Sequence, residues 1–126
     1  MKTILVVDDD LEIRTISNDF FQLLGYNVVL ASNGQDALNK FSSNIDGVVL
    51  DMMMPVMDGL QCYNQLRVLN PTIPIMMISG YGVNDDIEEH FKDKNFRFFH
   101  KPVNCNELSR NLLDMIYCAS VNSSEI

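Results

Sequence analysis

Apolar residues fall into two patterns that alternate along this chain. Short unbroken apolar runs each end in a polar residue. ILVV at 4–7 runs into aspartates, VVL at 48–50 into Asp51, and PIMMI at 74–78 into Ser79. Unbroken apolar runs mark strands of a parallel sheet covered on both faces. The pattern predicts strands over 3–8, 26–31, 47–51, 74–79 and 96–100. Between them, apolar residues recur three and four positions apart, the period of a helix that buries one face. Over 11–24 these are Ile13, Ile16, Phe20, Leu23 and Leu24, with Gly25 as the stop. Asn33 and Gly34 read as a turn before a short helix on Ala37, Leu38 and Phe41. A helix over 58–69 turns Leu60, Tyr63, Leu66 and Val68 inward and ends at Asn70-Pro71. A flexible loop over 80–82 and a more polar helix over 84–92 follow. The last helix, over 104–119, opens with Asn104 and Glu107 at capping-box spacing. It carries Leu108, Leu112, Met115 and Ile116 inward, and residues 121–126 read as a frayed tail.

Five strands alternating with five helices predict an α/β fold with a doubly wound, five-stranded parallel sheet. Right-handed crossovers and a flavodoxin-like strand order of 2-1-3-4-5 put helices on both faces. The chain shows no linker, repeat or low-complexity stretch, and residues 1–120 read as one domain. In that order strands 1 and 3 are neighbours, and their carboxyl ends share one edge. Open α/β sheets hold their ligands and chemistry at that edge. Asp8, Asp9, Asp51, Ser79 and Lys101 all fall there.

Composition narrows the function. A net charge of −8 over 126 residues argues against nonspecific binding to nucleic acid or anionic membrane. Cys62, Cys105 and Cys118 are odd in number and form no CxxC, which favours reduced thiols in a cytoplasmic protein. No signal-peptide pattern and no apolar run of membrane-spanning length is present. His90 and His100 have no metal-ligand spacing, and the acids from Asp85 to Glu89 read as a wet helix face. The methionines at 52, 53, 54 and 57 read as loop packing rather than a soft-metal site.

Asp8, Asp9 and Asp10 are adjacent, so their charges repel unless a cation sits among them. Asp10 suits a helix N-cap, which leaves Asp8 and Asp9 unexplained. Carboxylates from two strand ends suit Mg²⁺, which takes few protein ligands and keeps several waters. Asp51 is then placed to attack a phosphoryl group. The cation, Ser79 and Lys101 would neutralise the oxygens being transferred, and phosphoryl transfer asks little more than such positioning.

The segments ILVVDDD, GYNVVLASNGQDAL, VVLDMMMPVMDG, ISGYG and FHKPV together resemble receiver domains of two-component response regulators, especially the single-domain chemotaxis type. The resemblance covers almost the whole chain. It implies that Asp51 accepts a phosphoryl group from a phosphohistidine of a sensor kinase or phosphotransfer protein. It implies Mg²⁺ held by Asp8, Asp9, Asp51 and the main-chain carbonyl of Met53. It makes Ser79 the switch hydroxyl, Phe98 the switch aromatic and Lys101 the partner of the phosphoryl group, with a cis Lys101-Pro102 bond. The change would be read by a downstream protein or output domain on the face made by the fourth helix, fifth strand and fifth helix. Arg97 and Asn106 stand where many transcription-factor receivers carry the acid and base of an ionic dimer, so that dimer is not implied here.

Two other classes compete. A phosphohydrolase with an Asp51 nucleophile needs an acid two residues later, and Met53 stands there. A binding-only module would have no use for the complete set of Asp8, Asp9, Asp51, Ser79 and Lys101. The sequence thus reads as a switch that catalyses only its own phosphorylation and dephosphorylation.

Overall fold

Strand β3 (Gly47–Asp51) runs through the middle of a five-stranded parallel sheet, and all five of its residues are buried. The structure, a computed structural model, describes residues 1–54, 56–80 and 92–124, with side chains as far as Cys118. The other strands are β1 (Thr3–Val7), β2 (Asn27–Ala31), β4 (Ile75–Ser79) and β5 (Phe96–His100). Their order across the sheet is β2-β1-β3-β4-β5, as the sequence predicts. Four helices are described: α1 (Leu11–Leu23), α2 (Gly34–Lys40), α3 (Gly59–Leu69) and α4 (Cys105–Ser124). The helix predicted over 84–92, apart from its last residue, lies outside the described residues, as do Tyr81, Gly82 and His90. No helix among the described residues is long and apolar enough to cross a membrane.

Side chains of a strand alternate between the two faces, and the core divides accordingly. Leu5, Val7, Val48, Leu50, Ile75 and Met77 pack on one side with Ala37 of α2 and Cys62, Tyr63 and Leu66 of α3. Ile4, Val6, Val49 and Met76 pack on the other with Phe21 of α1 and Leu108, Leu112, Met115 and Ile116 of α4. Helices therefore cover both faces, which is why β1, β3 and β4 read as unbroken apolar runs. Burial pushes the Cys62 thiol up to about 12, so it behaves as a small apolar side chain.

Local chemistry sets the helix ends. Asp10 caps α1 by accepting from the amides of Glu12 and Ile13, and Gly25 follows α1 at φ +93°. The Asn104 side chain accepts from the amides of Asn106 and Glu107 at the start of α4. That helix continues to Ser124, beyond the end expected near residue 119.

Three readings are corrected. Asn33 and Gly34 do not form a separate turn: Asn33 is the N-cap of α2, accepting from the Asp36 amide, and Gly34 is its first residue. An Asn that favours turns also favours caps, by the same side-chain bond. Val68 is 83% exposed, because it lies about 200° around the helix from buried Leu66. On α1 the buried residue is Phe21, while Ile13, Ile16, Leu23 and Leu24 are exposed. The helix carries apolar residues around more of its circumference than its contact with the sheet covers. The rings of Phe20 and Tyr26 pack edge-on against Phe21 and fix which stripe faces inward. Ile13 and Ile16 instead line a groove with Ile78, Val103 and Leu108, opening beside Asp8 and Lys101.

Candidate functional site

Strands β1 and β3 pair in register from Ile4 opposite Gly47 to Val7 opposite Leu50. The next positions on the two strands are Asp8 and Asp51, which the register brings level at the carboxyl edge. One carboxylate oxygen each from Asp8, Asp9 and Asp51 lies within 4.8 Å of the others. Asp8 and Asp51 are buried and Asp9 is exposed. An all-carboxylate set of this kind suits a hard divalent cation rather than a soft one.

Burial pushes the Asp8 carboxyl up to about 6. The Asp10 amide, bonded to Asp8 Oδ1 at 2.9 Å, opposes the rise, and the nearby Asp51 charge adds to it. Asp51 is also raised, again mainly by burial. Its Oδ1 accepts from the Met53 amide at 3.2 Å and faces Lys101 Nζ at 3.5 Å, and both hold the rise down. Two buried carboxyls with raised proton affinity are an unfavourable arrangement that a bound cation would relieve.

The other two residues arrive from β4 and β5. Ser79 is fully buried at the end of β4, opposite His100. Its carbonyl accepts from the Lys101 amide at 2.8 Å, which ties the ends of the two strands together. The Lys101-Pro102 bond is cis, as the resemblance implies. Phe98 is half-buried against the core on the α2–α3 side, with its ring edge-on to His100 at 5.0 Å between centroids. His100 is exposed.

The loop after Asp51 is tightly seated. The Met52 amide donates to the Ile78 carbonyl, and the Gly59 amide to the Met52 carbonyl, both at 2.8 Å. Asp58 and Gln61 form a reciprocal capping box at the start of α3. A Cβ on Gly59 would lie 2.5 Å from Met52 Cα and 2.7 Å from the Asp51 carbonyl oxygen. Only glycine lets α3 begin this close to the end of β3, a role that composition gives no sign of. Met52, Met54 and Met57 pack against the core, which fits their reading as loop packing, and Met53 is exposed.

Comparisons with known proteins agree with this geometry. The family model described as response regulator receiver domain matches residues 4–113. Sporulation initiation phosphotransferase F of Bacillus subtilis is 34% identical over 106 residues, which are 83% of this chain and 86% of that protein. Transcriptional regulatory protein ZraR of Klebsiella oxytoca is 32% identical over 124 residues, 98% of this chain but only 28% of that protein. The chain therefore spans little more than a quarter of that longer relative. Among solved structures, the response regulator TrrA of Thermotoga maritima, in complex with Mg(2+)-BeF, superposes with a TM-score of 0.80 at 32% identity, covering 91% of this chain and 99% of that one.

Proposed function

The chain belongs to the response regulator receiver domain family, and we propose that Asp51 is its phosphoacceptor. One observation carries the assignment: Asp51 sits buried at the end of the central strand, within reach of Asp8 and Asp9 on one side and 3.5 Å from the Lys101 ammonium on the other. The Asp51 carboxylate attacks the phosphorus of a phosphohistidine. An O–P bond forms as the P–N bond breaks. The donor is a sensor histidine kinase or a phosphotransfer protein. A cytoplasmic location is the natural one for such an exchange.

Asp8, Asp9 and Asp51 would hold Mg²⁺, with the Met53 carbonyl as a further oxygen ligand. When bound, Mg²⁺ supplies positive charge to the phosphoryl oxygens. Its presence beside a beryllofluoride group in the Thermotoga maritima neighbour supports this choice of cation. Lys101 pairs with the same oxygens from the opposite side. The Ser79 hydroxyl, at the end of β4, turns toward the phosphoryl group as its added charge and acceptor atoms draw donors in. Phe98, two positions before His100 on β5, then changes its packing, and a downstream protein or output domain reads that face.

Met53 in place of an acid two residues after Asp51 supports a lasting acyl phosphate over rapid hydrolysis. The chain accordingly turns over no external metabolite. Intact-protein mass after incubation with acetyl phosphate tests the proposal. The expected result is a gain of one phosphoryl group that requires Mg²⁺ and is lost in Asp51→Asn. No gain under any condition, together with no beryllofluoride complex, would refute it.

A further inference from the structure

We propose that Arg14 is a positioning residue for the acidic pair, holding the main chain at Asp8 so that Asp8 and Asp9 stand ready for a divalent cation. The inference rests on the reading of Asp8, Asp9 and Asp51 as a cation site and adds a residue from α1 to its construction.

The argument starts where the sheet ends. Strand β1 pairs with β2 as far as Val7 opposite Ala31. The Asp8 amide still donates to the Ala31 carbonyl at 3.1 Å. The Asp8 carbonyl is past the last ladder pair, and the Ser32 amide, which follows Ala31, donates instead to Asp36 Oδ2 at 3.1 Å. The partner of the Asp8 carbonyl is Arg14, whose Nη1 donates to it at 2.6 Å.

Arg14 is itself anchored in the first turns of α1. Its amide donates to the Asp10 carbonyl at 3.0 Å, while the Asp10 side chain caps the helix. The Asp10 amide then returns to Asp8 Oδ1 at 2.9 Å. A closed ring results: Asp8 carbonyl, Arg14 side chain, Arg14 amide, Asp10 and back to the Asp8 carboxylate. Asp8 is held at its amide, its carbonyl and one carboxylate oxygen. Asp9 lies between two fixed residues and takes its placement from them.

Two features suit this ring to cation binding. Adjacent carboxylates repel, and an unrestrained loop would splay them apart; restraint before the cation arrives raises affinity. Arg14 also bonds a main-chain oxygen, not a carboxylate, so it does not compete for the oxygens a cation would take. Residues that orient metal ligands in this way typically change affinity by 10- to 100-fold when removed. Arg14 also acts electrostatically on Asp36 of α2, so the same guanidinium bears on two elements beside the site.

The test is Mn²⁺ binding, followed by the loss of the free-ion paramagnetic resonance signal, together with thermal unfolding in EDTA. Wild type is compared with Arg14→Met, Arg14→Lys and Asp9→Asn. We expect Arg14→Met to bind Mn²⁺ about tenfold more weakly, with Arg14→Lys between it and wild type because an ammonium lacks the planar fork. Folded Arg14→Met with an affinity within about twofold of wild type overturns the proposal, since loss of a residue that orients a metal ligand should exceed that. A lower unfolding midpoint with unchanged Mn²⁺ affinity also overturns it, because that is what a purely structural arginine gives. Should Arg14→Met not fold, Arg14→Lys decides by the same criterion. If wild type binds Mn²⁺ and Asp9→Asn does not, the cation site stands whatever Arg14 does. If wild type takes up no Mn²⁺, the cation-site reading fails and the role of Arg14 fails with it.

Discussion

Lys101 Nζ stands 3.5 Å from Asp51 Oδ1, although β4 separates their two strands in the sheet. The lysine is 42% exposed and the aspartate only 4%, so the contact is lopsided. A solvated ammonium gains little from it, while a desolvated carboxylate depends on it. Burial raises Asp51's affinity for a proton, and Lys101 offsets part of the rise.

Lys101→Ala should therefore raise the Asp51 pKa further. A carboxyl raised above its unfolded value favours the fold while protonated, at low pH, and loses that advantage as pH rises. In EDTA the deficit of the variant against wild type should be larger near pH 7.5 than near pH 4. Thermal unfolding at the two pH values checks this, and an equal loss at both would count against it. Phosphorylation by acetyl phosphate should slow by about a hundredfold, the usual cost of removing one charge-stabilising donor.

Asp8 gives a second pH dependence. Its carboxyl is pushed from an ordinary 3.8 up to about 6. The stabilisation is complete below pH 3.8 and is lost as pH rises through about 6. Two pK units correspond to roughly 3 kcal/mol. Without divalent cation the protein should thus lose stability across that window, and Asp8→Asn should flatten most of the slope. Asp51 supplies the remainder. Mg²⁺ should restore stability at pH 7.5 in wild type and not in Asp8→Asn. Denaturant titrations at several pH values measure both effects, and a stability that climbs from pH 4 to 6 would contradict the assignment.

Much of this arrangement was legible in the sequence because strand ends are. An unbroken apolar run announces a buried strand, and the residue that breaks it marks the edge. Strand 47–51 falls where the pattern puts it, and the strand order brings Asp8, Asp9, Asp51, Ser79 and Lys101 to one place. Choices among several adequate solutions were not legible. Periodicity shows that α1 is amphipathic, but Phe21 is buried and Ile16 is not because of what each meets in space. Arg14 and Arg67 look like ordinary helix-surface cations, since main-chain carbonyls that need a partner leave no mark on composition. Gly59 and Val56 depend on backbone geometry within a single loop.

Val56 is the one non-glycine residue among those described with a positive φ, at +72°. A β-branched side chain fits the left-handed region poorly, at a cost of roughly 1 to 2 kcal/mol. Val56 is 81% exposed, so its side chain recovers little of that by packing. Val56→Gly should stabilise the protein by about 1 kcal/mol after the extra freedom of glycine in the unfolded chain is counted. Val56→Asn should gain a similar amount, because asparagine tolerates this conformation. Chemical denaturation measures both, and a loss in both variants would show that the loop does not hold this strain.

Arg67 joins three segments at the end of the sheet away from Asp8, Asp9 and Asp51. Its Nε donates to Asp93 Oδ2 at 2.7 Å, Nη1 to the Ile73 carbonyl at 2.6 Å and Nη2 to the Asn95 carbonyl at 2.9 Å. The guanidinium also lies over the Tyr63 ring, 5.3 Å from its centre. The Tyr63 hydroxyl donates to Asp93 Oδ2 at 2.5 Å. Burial raises the Asp93 carboxyl, but bonds from Tyr63, Arg67 and the Asn95 amide outweigh it, and the net pKa lies below the ordinary 3.8. A depressed carboxyl stabilises the fold above its unfolded pKa and loses that contribution as pH falls through its folded value. Arg67→Met should cost about 2 kcal/mol near neutral pH, because it removes the charged partner of a half-buried carboxylate and a donor from each of two main-chain carbonyls. Arg67→Lys should recover little, since one ammonium cannot reach three acceptors in fork geometry. The deficit of Arg67→Met should shrink as pH drops below 3.8 and Asp93 takes up its proton in the variant. Urea denaturation of the three proteins between pH 3 and 7 tests this, and a pH-independent deficit would assign the loss to Arg67 packing on Tyr63 rather than to its charge.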